Sequence, residues 1–241
     1  MCPLAAFAYR AALMLAPEAV PGPAPIFTIV PVVGDLGLAT PAPTSVVVVV
    51  PHGWSEYAAP ENGFAISVPT TWQRLPLRAQ ELQTALGTIR QANPELAEAL
   101  GENAETLIHN GVKFWAFDLN PETQQAGFAT NVTVTRQTFS NPVSFDTFVA
   151  VNLNQLNALT TRNSDIVNER TSIAGQPTER VRYLVTLNRD SAEPLTVSIT
   201  QYLVVNGRSA YVLTYATRTD MQDKYRAVFE QSAASLRFIG Q

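Results

Sequence analysis

The stretch from Thr196 to Thr217, TVSITQYLVVNGRSAYVLTYAT, limits the possible folds of this chain more than any other. It reads as two long strands joined at Asn206-Gly207, the pair that most readily takes the two positive φ angles of a type I′ turn. Such a turn sets Val205 opposite Arg208, Leu203 opposite Ala210 and Tyr202 opposite Tyr211. One face of the ribbon carries Val197, Ile199, Leu203, Val205, Ala210 and Val212, and the other carries Tyr202, Val204, Tyr211, Leu213 and Tyr215. Both faces are apolar, whereas a ribbon wet on one side alternates apolar with polar residues. The hairpin is therefore expected at the centre of a sheet covered on both sides.

The rest of the chain supplies the cover. Gly63 to Trp72, GFAISVPTTW, alternates Phe64, Ile66 and Val68 until Pro69 stops the ladder, and predicts a first strand. From Leu77 the period changes, and Leu82, Ala85, Leu86 and Ile89 share one helical face. Asn93-Pro94 caps a second helix that Gly101 ends. Val112 to Asp118 and Phe128 to Thr135 read as strands, Ser144 opens a helix with Phe145, Phe148, Val149, Leu156 and Leu159 on its buried stripe, and Asn152 sits inside that stripe. A covered Asn there needs a hydrogen-bond tie, expected to a strand or loop. Ile166 to Ile173 and Arg180 to Leu187 flank a Gly175 turn, and a capping box at Thr219 to Gln222 opens a last helix presenting Met221, Tyr225, Val228, Phe229, Ser232 and Leu236. The order predicts an α+β chain, an α/β/α sandwich whose central, mainly antiparallel sheet is covered by helices on both faces.

Residues 1 to 53 hold nine of the 17 prolines and three charges, Arg10, Glu18 and Asp35. They read as a proline-rich leader before one domain over 54 to 241, with a helical excursion at about 77 to 107. The uncharged run between Asp35 and Glu56 contains Pro41, Pro43 and Pro51, which suits a linker or tether and not a spanning helix. Val46 to Val50 fits either an extra edge strand or part of the linker. A net charge of -4 with singly scattered Lys and Arg argues against a nucleic-acid partner. One cysteine, Cys2, excludes an intrachain disulfide and a multi-cysteine metal site.

The motifs of nucleophilic hydrolysis, phosphate cradling, calcium loops and zinc helices do not occur, so neither a cofactor nor a catalytic residue is assigned. Glu95, Glu98, Glu102, Glu105 and His109 would align on one face of a continuous helix, but Gly101 interrupts it, and the stripe reads as a solvated acidic face in place of a metal site. Among the aromatics, Trp72, Trp115, Tyr202, Tyr211 and Tyr215 are the candidate ligand- or partner-binding residues, because such rings join large contact area to a polar handle. The same rings at strand spacing equally suit a core. Asn131-Val132-Thr133 is a glycosylation sequon within a predicted strand, a position that disfavours modification.

Three blocks together carry a resemblance: Gly63-Phe64 to Trp72, the ribbon Gln201 to Gly207 running on to Tyr215, and Tyr225-Arg226 to Phe238. Over residues 54 to 238 the chain resembles the PsbP-like superfamily, which takes in the Ran-binding Mog protein of eukaryotes and mycobacterial lipoproteins of the LpqN type. The resemblance implies an α/β/α sandwich and a non-catalytic, extracytoplasmic module that binds a protein partner or a small apolar ligand. Beside extrinsic subunits and partner-binding adaptors, that superfamily includes extracytoplasmic lipoproteins tethered by a proline-rich linker after a lipidated Cys; Cys2 here has no preceding lipobox. The competing reading is a carboxylate-dependent hydrolase drawing on Asp118, Glu122 or the 95 to 105 face.

Overall fold

The computed structural model describes residues 50–94, 97–98, 100–101, 108, 110–123, 128–159, 162–189 and 192–240. The chain enters through β1 (Trp54–Ala59), β2 (Phe64–Pro69) and β3 (Trp72–Arg74), then α1 (Ala79–Ala92), β4 (Val112–Asp118), β5 (Asn131–Thr138) and α2 (Phe145–Asn157). It continues through β6 (Val167–Ile173), β7 (Gln176–Arg189), β8 (Ala192–Asn206) and β9 (Ser209–Arg218), and closes with α3 (Gln222–Ala234) and β10 (Arg237–Phe238). Seven strands form one antiparallel sheet in the order β3-β4-β5-β9-β8-β7-β6, with the β8–β9 ribbon inside it.

The strand containing Phe64, Ile66 and Val68 does not join that sheet. It lies in a separate three-stranded sheet between β1 and β10. Pro69 ends its ladder, as expected, but the chain resumes at Trp72 as the edge strand of the larger sheet, so one predicted strand is two. β1, WSEYAA, lacks the apolar alternation that marks a strand, and β3 and β10 are too short to show a period.

The central hairpin keeps its predicted faces and shifts its turn. Asn206 pairs with Ser209, Val205 with Ala210 and Leu203 with Val212, so Gly207-Arg208 are the loop residues. Gly207 has φ +60 and Arg208 is not among the positive-φ residues, the pattern of a turn with glycine first and not of Asn-Gly type I′. The shift conserves the parity of each strand, and both apolar faces survive it. Two adjacent positive φ angles occur instead at Ala174-Gly175, between the paired Ile173 and Gln176.

Side-chain parity sorts the core into three clusters. Tyr202, Val204, Tyr211, Leu213 and Tyr215 meet Phe64 and Ile66 of the small sheet and Tyr225 and Phe229 of α3. Val197, Ile199, Leu203 and Val212 meet Val181, Tyr183 and Val185 of β7 and Phe148, Val149 and Leu156 of α2. Leu82, Leu86 and Ile89 of α1, with Ala97 and Leu100, cover Trp115 and Phe117 of β4. Each large side chain buried in this way contributes roughly 1.5–3 kcal/mol relative to exposure.

Polar ties hold the layers in place. The Ser144 hydroxyl caps α2 by accepting from the Thr147 amide at 3.3 Å. Asn152 donates to the Phe148 carbonyl one turn earlier, at 2.8 Å, so its bond stays within the helix and reaches neither strand nor loop. No side-chain capping bond forms at Thr219, whose hydroxyl donates to Thr196 O, and a 3-10 turn precedes α3. Tyr215 Oη donates to Ser232 Oγ at 3.0 Å and Ser232 Oγ donates to Ser67 O at 2.8 Å, linking β9, α3 and β2 in one relay. At the outer edge of the large sheet, Glu169 and Arg170 of exposed β6 place charges that discourage pairing with another sheet.

Candidate functional site

β1, which pairs on one side only among the described strands, lines an open cleft of about 510 Å³, within the range of roughly 300–1,000 Å³ typical of ligand sites. Tyr57 and Ala58 of β1, with Glu61 and Asn62 of the following turn, form one wall. Arg74, Leu77, Arg78 and Glu81 from the β3–α1 segment, Ile108, and Val112 and Lys113 from β4 form the other. The two walls belong to different sheets.

Local backbone features place the cations. The β4–β5 pairing runs Val112↔Thr135 and then Phe114↔Val134, so Lys113 is the extra residue of a β-bulge. A bulge twists its strand and re-aims the side chain it adds. The strand is anchored just before the bulge, where Gly111, at φ +84, lies so near β5 that a Cβ would come 2.9 Å from the Arg136 carbonyl, and glycine avoids that clash. Arg74 closes the short β3 ladder opposite Ala116, and Arg78 occupies the residue before α1.

Arg74 lies over the Tyr57 ring with its guanidinium carbon 3.9 Å from the centroid, and Nη2 donates to the Tyr57 hydroxyl at 3.3 Å. The ring stacks on Phe114 beneath, 4.8 Å between centroids. Burial pushes the Tyr57 hydroxyl above its ordinary pKa, and the Arg74 charge partly offsets that rise. Arg78 forms an exposed pair with Glu81 at 3.6 Å. Lys113 has no ion pair among the described residues. Among the described residues, three cations against two carboxylates line the cleft.

The aromatic candidates named from sequence are buried, with relative exposures of 7% for Trp72, 0% for Trp115, 4% for Tyr202 and 0% for both Tyr211 and Tyr215. They are not brought to one opening. Trp72 meets Tyr225 and Phe229, Trp115 meets Phe117, and Tyr202 meets Tyr215 edge-on. Tyr211 donates to the Asn62 carbonyl. Tyr202 also lines a second cleft, with Arg180, Arg182 and Arg226, whose volume of about 20 Å³ holds roughly one water. Arg180 there is already engaged by Glu169 and Glu230.

Asp118 Oδ2 accepts from the buried Tyr225 hydroxyl at 2.5 Å and Oδ1 from the Asn120 amide at 2.8 Å. Glu122 pairs with Lys224 at 2.8 Å. Each carboxylate thus has a partner in the fold. Of the acidic face read at 95 to 109, Glu95, Glu102, Glu105 and His109 lie outside the described residues, and Glu98 is exposed. Among the described residues no three His, Cys, Asp or Glu groups gather for a metal ion. Asn131, which opens the sequon, is buried and donates to Ala129 O.

Sequence reasoning did not single out Arg74, Arg78 and Lys113. The available signal was Lys113 itself, one of two lysines in the chain, set between the apolar residues Val112 and Phe114.

No family model and no curated protein sequence matches the chain. The fold is similar to the solution structure of cyanobacterial PsbP (CyanoP) from Synechocystis sp. PCC 6803, with 15% identity, 85% of this chain and 99% of that chain covered, and a TM-score of 0.43. It is also similar to LpqN of Mycobacterium tuberculosis, described as involved in cell envelope biogenesis, at 9% identity, 78% and 92% coverage and a TM-score of 0.46. The Saccharomyces cerevisiae Ran-binding protein Mog1p matches at 12% identity, 77% and 95% coverage and a TM-score of 0.41. These proteins are those with which the sequence resemblance was drawn. No helix among the described residues is long and apolar enough to cross a membrane.

Proposed function

We propose that this protein is a non-catalytic binding module whose partner seats in the cleft between β1 and α1. The observation that carries this reading is the convergence of Arg74, Arg78 and the bulged Lys113 on an open cleft beside a strand with no second neighbour among the described strands. A bulged strand that sends a cation without an ion pair into a cleft is a feature of recognition sites more than of packing. The charged lining favours a polar ligand or a protein segment over the small apolar ligand expected from the sequence.

The hydrolase reading loses support because Asp118 and Glu122, its best-placed carboxylates, are held by Tyr225, Asn120 and Lys224. The layered α/β/α reading is supported by the alternation of core partners along β8 and β9. An extracytoplasmic location, with residues 1 to 53 as leader or tether to a domain over 54 to 241, is supported by the proline-rich, charge-poor composition of that leader.

The test compares the full chain with an Arg74→Glu, Lys113→Glu variant of equal thermal stability as bait in extracts of the native cell. A partner depleted at least about tenfold by the variant supports the cleft as the seat. An identical set of retained proteins overturns it.

A further inference from the structure

We infer that the cleft takes an extended acidic peptide, which adds to β1 as a fourth strand of the small sheet and sets its carboxylates against Arg74, Arg78 and Lys113. This inference rests on the cleft being the binding seat and names what sits there.

Two observations fix the class of occupant. The first is the strand edge. β1 pairs with β2 over its whole length, Trp54↔Pro69 through Ala59↔Phe64, and has no second neighbour among the described strands. Alternate residues of an edge strand point backbone N–H and C=O groups outward. The cleft is lined from β1, and β2 and β10 contribute nothing to it among the described residues. An extended segment entering there finds a row of backbone donors and acceptors, the requirement for strand addition.

The second observation is charge. The wall opposite β1 carries Arg74, Arg78 and Lys113, and the carboxylates that share the cleft among the described residues are Glu61 and Glu81. Glu61 accepts from the Asn62 side-chain amide at 3.2 Å. Glu81 is held among the described residues by the exposed Arg78 pair, a type of contact that gives way at little cost. A carboxylate on the incoming strand meets Lys113, which has no ion pair among the described residues, and Arg74, whose guanidinium contacts the Tyr57 ring. A basic or neutral strand would make the same backbone bonds but leave these cations uncompensated. A strand of about six residues spans roughly 20 Å, which matches the six residues of β1.

The test titrates the full chain with a capped Glu-Thr-Glu-Val-Glu-Thr peptide and its Lys-Thr-Lys-Val-Lys-Thr counterpart, following the amide resonances of Glu56 to Ala59. Two further acidic peptides carry N-methyl groups, one on odd and one on even residues, and citrate serves as a small-anion control. The expected result is saturable binding of the acidic peptide, weaker by at least about tenfold for the lysine peptide and for the Arg74→Gln, Lys113→Gln variant. Of the N-methyl peptides, the one whose modified amides face β1 loses binding and the other keeps it. Equal binding of both N-methyl peptides overturns strand addition, and equal binding of the lysine peptide overturns the acidic preference; either result removes this inference. Citrate binding that the double substitution abolishes, without peptide binding, removes this inference and leaves the cleft as the seat. Indifference of every probe to the double substitution removes both.

Discussion

The Arg74 guanidinium carbon lies over the Tyr57 ring, 3.9 Å from its centroid, while the same side chain donates to the ring's hydroxyl. The pair joins two separately hydrogen-bonded sheets at the mouth of the cleft, since Tyr57 belongs to β1 and Arg74 to β3. Its electrostatics are opposed: burial raises the hydroxyl pKa and the guanidinium lowers it.

Replacing Arg74 by Gln is therefore expected to move the Tyr57 titration further upward, because the stabilising cation goes and the burial remains. Carbon NMR of the labelled tyrosine ring through the alkaline range measures this. A downward movement would show that Arg74 acts chiefly by keeping water out.

Tyr183 and Tyr215 predict the alkaline limit of the fold. Burial raises both hydroxyls above the ordinary value of 10.0. Below that value both are protonated, folded or unfolded, and add no pH dependence. Above it the unfolded chain ionises while the folded chain does not, so stability falls as pH rises, by about 1.4 kcal/mol per pH unit for each tyrosine. Urea unfolding at a series of pH values checks the slope, and Tyr215→Phe should remove one tyrosine's share.

The Tyr183 hydroxyl is buried with no hydrogen-bond partner among the described residues. Removing it deletes an unsatisfied group and leaves the ring's packing against β8 and α2 in place. Tyr183→Phe is expected to stabilise the protein by about 1 kcal/mol. Loss of stability in chemical denaturation would mean that the hydroxyl has a partner such as a buried water.

Gly63 carries two constraints that a double substitution separates. Its φ is +75, and a Cβ there would lie 2.8 Å from the Tyr211 hydroxyl. Gly63→Ala is expected to cost about 1–2 kcal/mol for the left-handed backbone alone, and more for the clash. Introducing Tyr211→Phe in the same chain should recover the clash and leave the backbone cost. Strict additivity of the two substitutions in thermal melts would refute the close approach.

The features legible in the sequence were those carried by long periodic runs. Tyr202, Tyr211 and Tyr215 on one side of the ribbon and Leu203 and Val212 on the other proclaimed a sheet covered twice, and the core clusters divide along that line. The turn register escaped because Asn206-Gly207 and Gly207-Arg208 are both plausible two-residue loops, and sliding by one loop position leaves every side chain on its face. β1 escaped because Ser55, Glu56 and Tyr57 give no apolar alternation, and with it went the split into two sheets. The cleft was illegible for a related reason. Tyr57, Arg74 and Lys113 come from separate strands, and the bulge that aims Lys113 is a property of β4 against β5, visible only once they pair.

The Ser232 relay bears on how the cleft can work. Since β1 sits in the small sheet and Arg74 and Lys113 in the large one, the gap between them is not fixed by any ladder of backbone bonds. Side-chain contacts span that gap instead: Arg74 on Tyr57, and the Tyr215–Ser232–Ser67 chain that ties β2 to β9 through α3. Substitutions at these side chains, and not at a strand pairing, are therefore expected to retune the width of the mouth.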